Sequence, residues 1–87
     1  MMVDVRWPDG SARAYYSPSL VVMEYLEPRT YAVDDFVARC RTSLAIASER
    51  VRAKYGFPCS RAAASLAGIE RDAAAFAEGT VTVTGFR

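Results

Sequence analysis

The side chains with chemical potential gather at one corner of this chain, Gly56-Phe57-Pro58-Cys59-Ser60-Arg61. Cys59, Ser60 and Arg61 set a thiol, a hydroxyl and a guanidinium side by side, where the pattern predicts the start of a helix. Unpaired amides and the positive end of the helix dipole attract anions there. The same field lowers a thiol pKa and favours the reactive thiolate. On that reading Cys59 is a nucleophile or a redox-sensitive thiol, and Ser60 and Arg61 hold a substrate carboxylate. The plainer reading carries more weight: Cys59 packs under the turn, and Ser60 only caps the helix. Free cysteines are usually buried and inert. Cys40 falls within a core stripe and is read as packing.

Arg50 and Lys54 complete the candidate set. At about 100° per residue, Arg39 and Arg50 project about 20° apart on a helix, with Ser43 and Lys54 within about 60° of Arg39. Arg41 and Arg52 form a second line across the buried stripe. Paired guanidinium donors suit phosphate or carboxylate. Two flanks of arginines whose stems lie over the core edge are, however, ordinary for an amphipathic helix. The candidate binding residues are therefore Arg50, Lys54, Cys59, Ser60 and Arg61, with a small anion as the implied ligand and no residue assigned as catalytic.

Other chemistry is excluded by what is missing. The chain has no histidine, so imidazole-based triads and the commonest metal ligand are absent. Its two cysteines form no CxxC pair and cannot supply a four-ligand zinc site. Gly10, Gly56, Gly68, Gly79 and Gly85 are too dispersed for a phosphate-binding loop. No cofactor or metal is expected, and the balance of residues is against an enzyme.

Charge is uneven. Residues 1–38 hold three basic and six acidic side chains, residues 39–61 six basic and one acidic, and residues 62–87 two basic and three acidic. The net charge of +1 is far below that of a dedicated nucleic-acid binder. A nucleic-acid-binding regulator, with tyrosines stacking on bases, is the weakest of the readings.

The elements that must position these groups follow from periodicity. Val3, Val5 and Trp7 alternate with Asp4 and Arg6, which predicts a strand. Trp7-Pro8-Asp9-Gly10 fits a type I turn, and residues 11–16 return as a second strand with Tyr15 and Tyr16 on opposite faces. Ser17-Pro18 suits the opening of a short helix. Residues 19–26 are open between helix and strand, and a short helix is preferred. Val33, Val37, Cys40, Leu44, Ala47, Val51 and Tyr55 predict a long helix over 33–55, with Asp34 and Asp35 in its first turn and Gly56 as its cap. A second helix is expected from a Ser60 N-cap to about Ala77, burying Ala62, Leu66, Ile69, Ala73 and Phe76. Thr80-Val81-Thr82-Val83-Thr84 reads as a closing strand.

The expected fold is therefore α+β, in the order β-β-(short element)-α-α-β. It is one domain over 1–87: a three-stranded antiparallel sheet, made of the N-terminal hairpin and the C-terminal strand, with two long helices on one face. The 87 residues, 52% hydrophobic and 24% charged, exclude a disordered tail. No stretch is long enough to span a membrane, and no signal peptide is visible, so a cytoplasmic location is expected. Trp7 and the tyrosines of the first third are read mainly as core. The outward face of the long helix carries Ala38, Thr42, Ala45, Glu49 and Ala53. Side chains this small admit another backbone closely, which suggests a homodimer or a partner helix. Helix propensity alone explains the alanines equally well.

Three stretches carry a resemblance. Arg6-Trp7-Pro8-Asp9-Gly10, Tyr16-Ser17-Pro18-Ser19-Leu20 and the run from Ala47 to Ala62 (ASERVRAKYGFPCSRA) resemble a small bacterial family of nitrogen-starvation response proteins. Members are encoded in gene clusters built around a nitrilase. Such clusters also encode a radical SAM enzyme, an acetyltransferase-like protein and a flavin-dependent oxidoreductase. The resemblance covers nearly the whole chain. It implies a cytoplasmic accessory role in assimilating nitrogen from nitriles or related compounds, with the cluster's enzymes as partners. It transfers no catalytic residues.

Two functions from different classes follow. The first is a non-catalytic accessory protein acting by protein–protein contact. The alternative is a small-molecule anion binder or minor thiol-dependent enzyme.

Overall fold

The computed structural model describes residues 1–87. Its elements are β1 (Met2–Arg6), β2 (Ala12–Tyr16), α1 (Val22–Tyr25), β3 (Thr30–Ala32), α2 (Val33–Tyr55), α3 (Ser60–Ala73) and β4 (Thr80–Phe86). The α+β class is as expected, but the sheet has four strands, in the order β2-β1-β4-β3, all antiparallel.

The hairpin closes as its sequence dictates. The Gly10 N–H donates to the Trp7 carbonyl at 2.9 Å, and Gly10 takes a φ of 86° that a side chain would oppose. Asp9 accepts from the Ser11 N–H at 2.9 Å and from its hydroxyl at 2.6 Å, fixing the return. Trp7 ends on the helix-covered face and is buried there.

The strand beyond expectation is β3. Tyr31 sits opposite Val81, and the Val83 N–H reaches back to the Arg29 carbonyl at 2.9 Å. Tyr31 is buried; its hydroxyl accepts from the Glu27 N–H at 2.7 Å, and the Arg29 guanidinium lies 4.1 Å from its ring centre. Three residues are too few for a period to show. Tertiary pairing with β4, not local sequence, makes this a strand.

Helix α2 follows β3 without a loop. It ends at Gly56, whose φ of 85° lets its N–H return to the Arg52 carbonyl at 2.8 Å. At about 1.5 Å per residue it is longer than the sheet beneath it. The predicted stripe holds at Val33, Cys40, Leu44 and Ala47, with Phe36 and Ser43 also buried. Val37 and Val51 are half-buried, and the stripe fails at Tyr55, which is exposed in the last turn.

The second helix departs from expectation at both ends. Cys59, not Ser60, is its N-cap: the backbone is still extended there, and Sγ accepts from the Ala62 N–H at 3.4 Å. Helix α3 stops at Ala73, not Ala77. Ala75 and Phe76 bond three residues back, to Asp72 and Ala73. That tightened turn swings Phe76 onto Trp7, with ring centres 5.7 Å apart and planes 13° from parallel. The short helix α1 begins only at Val22. Before it, Ser17 and Ser19 fold the loop on itself through Ser17 Oγ to the Ser19 carbonyl (2.8 Å) and the Val21 N–H to Ser19 Oγ (3.2 Å).

The core lies between the helices and the sheet. Val3, Val5, Trp7, Val81 and Val83 meet Phe36, Cys40, Leu44 and Ile69. A void of about 10 Å³ beside Leu26, Phe36 and Cys40 is apolar and no larger than one water. It is a packing gap, not a ligand cavity. No helix is long and apolar enough to cross a membrane.

Candidate functional site

The five residues singled out by sequence lie around the junction of α2 and α3, each with its own neighbour. Arg50 Nη1 donates to Ser19 Oγ at 3.2 Å. Lys54 Nζ is 5.4 Å from the ring centre of Tyr55. Cys59 is half-buried and serves as the cap of α3. Ser60 occupies the first turn and is exposed. The Arg61 guanidinium lies 3.7 Å from the centre of the Tyr16 ring, within cation–π range. Arg50 and Arg61 thus dock on one short segment, Tyr16–Ser19, from two different helices. No side-chain hydrogen bond joins the five residues to one another.

The other arginines of α2 have structural duties. Arg39 meets both Asp35 oxygens at 3.1 Å and donates to the Tyr25 carbonyl at 2.9 Å, pinning the end of α1. Arg41 reaches Glu70 at 3.5 Å and links α2 to α3. Arg52 pairs with Glu49 at 3.6 Å. These are exposed pairs, each contributing about 0–1 kcal/mol.

Four large apolar side chains are exposed, two of them, Tyr55 and Phe57, at the same junction. Leu20 is 67% exposed, Met23 48%, Tyr55 59% and Phe57 65%. Leu20 neighbours Ser19, which Arg50 holds, and Tyr55 lies only about 7–8 Å farther along the helix axis than Arg50. Ala38, Thr42, Ala45, Glu49 and Ala53 are also exposed, leaving the small-residue face of α2 uncovered.

A second polar constellation lies on the other flank of α3. The Trp7 Nε1–H donates to Tyr15 Oη at 2.9 Å, and the Tyr15 hydroxyl donates to Asp72 Oδ2 at 2.5 Å. Burial, reinforced by the Asp72 carboxylate, pushes the Tyr15 hydroxyl above the ordinary tyrosine range. Arg13, Arg61, Ser65, Gly68, Arg71 and Asp72 line an open groove beside it, between α3 and β2. The sequence alone does not bring this groove together. Its signal was present in two fragments: Arg13 and Tyr15 share a strand face at period two, and Arg61, Ser65, Gly68 and Asp72 share a helix face at spacings of four, three and four. Nothing local joins the fragments.

Two cysteines are free, and their settings differ. Burial pushes the Cys40 thiol up to about 12. No group of His, Cys, Asp and Glu side chains is arranged to hold a metal ion.

A family model described as "Nitrogen starvation-induced protein NitG" matches residues 2–86. No curated protein and no solved structure matches the chain.

Proposed function

The chain belongs to the NitG family of nitrogen starvation-induced proteins, and on that premise we propose that it is a non-catalytic accessory protein acting through protein–protein contact. The contact surface is the α2–α3 junction, where Arg50, Lys54, Cys59, Ser60 and Arg61 lie among exposed apolar side chains. The partners are enzymes of a nitrilase-centred gene cluster in the cytoplasm, or a second copy of this chain.

One observation carries this reading. Leu20, Met23, Tyr55 and Phe57 are large, apolar and exposed in a chain of 87 residues. Clustered apolar exposure with a polar rim marks interaction surfaces. Aromatic and arginine side chains are the usual anchors of such surfaces. The bare small-residue face of α2 continues from the same helix.

Purified chain mixed with each cluster enzyme tests the proposal. Phe57→Glu and Tyr55→Glu leave the core intact and place charge in the contact. Capture of an enzyme, or dimer formation, that these variants reduce at least tenfold supports it. Capture that both variants leave unchanged contradicts the assigned surface.

A further inference from the structure

The outer edge of β2 is a free template for another strand. Met1 and Ser17 exchange both backbone hydrogen bonds, each at 2.9 Å, and the Trp7 N–H donates to the Ser11 carbonyl at 2.9 Å. Antiparallel ladders alternate bonded and non-bonded pairs. In this register Val3–Tyr15 and Val5–Arg13 are the bonded pairs. The N–H and C=O groups of Ala12, Ala14 and Tyr16 therefore point away from β1. β2 is the outermost strand and contains no proline to blunt it.

Helix α3 walls this edge and runs antiparallel to it. Arg61, at the helix start, lies over Tyr16, and Asp72, near its end, bonds Tyr15. Between them the wall is made of Ala64, Ser65 and Gly68, and the buried Gly68 leaves the floor beside Tyr15 clear. Charge selects the occupant. Arg13, Arg61 and Arg71 line the groove against the single carboxylate of Asp72, which the Tyr15 hydroxyl already engages. Arg71 Nε lies 3.9 Å from the other Asp72 oxygen, with its side chain largely in solvent.

We propose that this groove receives an extended, acidic segment of a partner protein as a fifth strand of the sheet. Its backbone pairs with Ala12, Ala14 and Tyr16, and its Asp and Glu side chains meet Arg13, Arg61 and Arg71. Main-chain pairing supplies affinity and the arginines supply selectivity. A second copy of this chain is disfavoured, because two-fold pairing of β2 would bring two sets of these arginines together. The proposal goes beyond contact at the α2–α3 junction and shares only Arg61 with it, so either can fail alone.

The test is selection of a random decapeptide display library on the intact protein. Peptides enriched in Asp and Glu are expected. Their affinity should fall at least tenfold on Ala14→Pro, which removes an outward N–H that the fold does not use. Circular dichroism checks that this variant is folded. If it is not, Arg13→Glu with Arg71→Glu replaces it, with the same tenfold loss expected. In the complex, amide exchange should slow at Ala12, Ala14 and Tyr16. No enriched peptide, enrichment without acidic bias, binding that survives the substitutions, or unchanged exchange at those amides overturns the proposal. So does self-pairing of β2 in the free protein, seen as a dimer with those amides protected.

Discussion

Tyr15 of β2 donates its hydroxyl hydrogen to Asp72 of α3 at 2.5 Å, while accepting the indole N–H of Trp7 at 2.9 Å. The three groups tie the hairpin to the end of the second long helix. Phe76 closes the arrangement by stacking on Trp7. The groove along β2 keeps its shape because this anchor holds one end.

Tyr15→Phe removes the donor to Asp72 and leaves the Trp7 N–H without its acceptor. A loss of about 1–3 kcal/mol is expected, since one partner in the exchange is charged. Urea unfolding followed by the fluorescence of Trp7, the single tryptophan, measures it directly.

The same tyrosine predicts an alkaline limit. Burial and then Asp72 raise its pKa above the ordinary tyrosine value of 10.0, so the unfolded chain releases this proton first. The stabilisation is complete below about pH 10 and is lost as pH rises from there through the folded-state pKa. Cys40 acts in the same direction, over the window from 9.0 up to about 12. Stability measured from pH 8 to pH 12 should therefore fall, and Tyr15→Phe should flatten the upper part of that fall. An identical slope in the variant would contradict the assignment.

Thiol chemistry separates the two cysteines. Cys40 is buried among Phe36, Leu44 and Ile69, whereas Cys59 is half-buried at a helix cap. Alkylation of the native protein at pH 8 should label Cys59 and spare Cys40, and denaturant should expose both. Rapid labelling of Cys40 in the native state would contradict the packing described.

Gly68→Ala should stabilise the chain. The position is helical, and an added Cβ would meet Arg71 Nη2 at 3.5 Å and the Tyr15 ring at 3.9 Å, ordinary contact distances. Alanine is favoured over glycine in a helix interior by about 0.8–1.0 kcal/mol. Thermal unfolding reads the gain.

Phe76→Ala should cost about 2–3 kcal/mol, less than a fully buried phenylalanine because the ring is half-exposed. It should also shift Trp7 emission toward that of the unfolded chain.

Much of this fold is legible locally. Trp7-Pro8-Asp9-Gly10 states its turn, the stripe from Val33 to Ala47 states its helix, and the alternation of Thr80 to Thr84 states its strand. What escapes is set by distant partners. β3 is three residues long and is a strand only because β4 pairs with it. Helix α3 ends early because Phe76 is drawn to Trp7, at the other end of the sequence. Cys59 caps that helix because the backbone remains extended for one residue after Pro58. The candidate residues at the α2–α3 junction were readable because they are neighbours in sequence. The groove was not, since 57 residues separate Tyr15 from Asp72.

The most direct test of the proposed contact-driven function is the mass in solution by multi-angle light scattering, alone and with each enzyme of the proposed nitrilase-centred cluster. A dimer, or a defined complex with one enzyme that Phe57→Glu dissolves, is the predicted result. A strict monomer that binds none of them across micromolar concentrations would contradict the account.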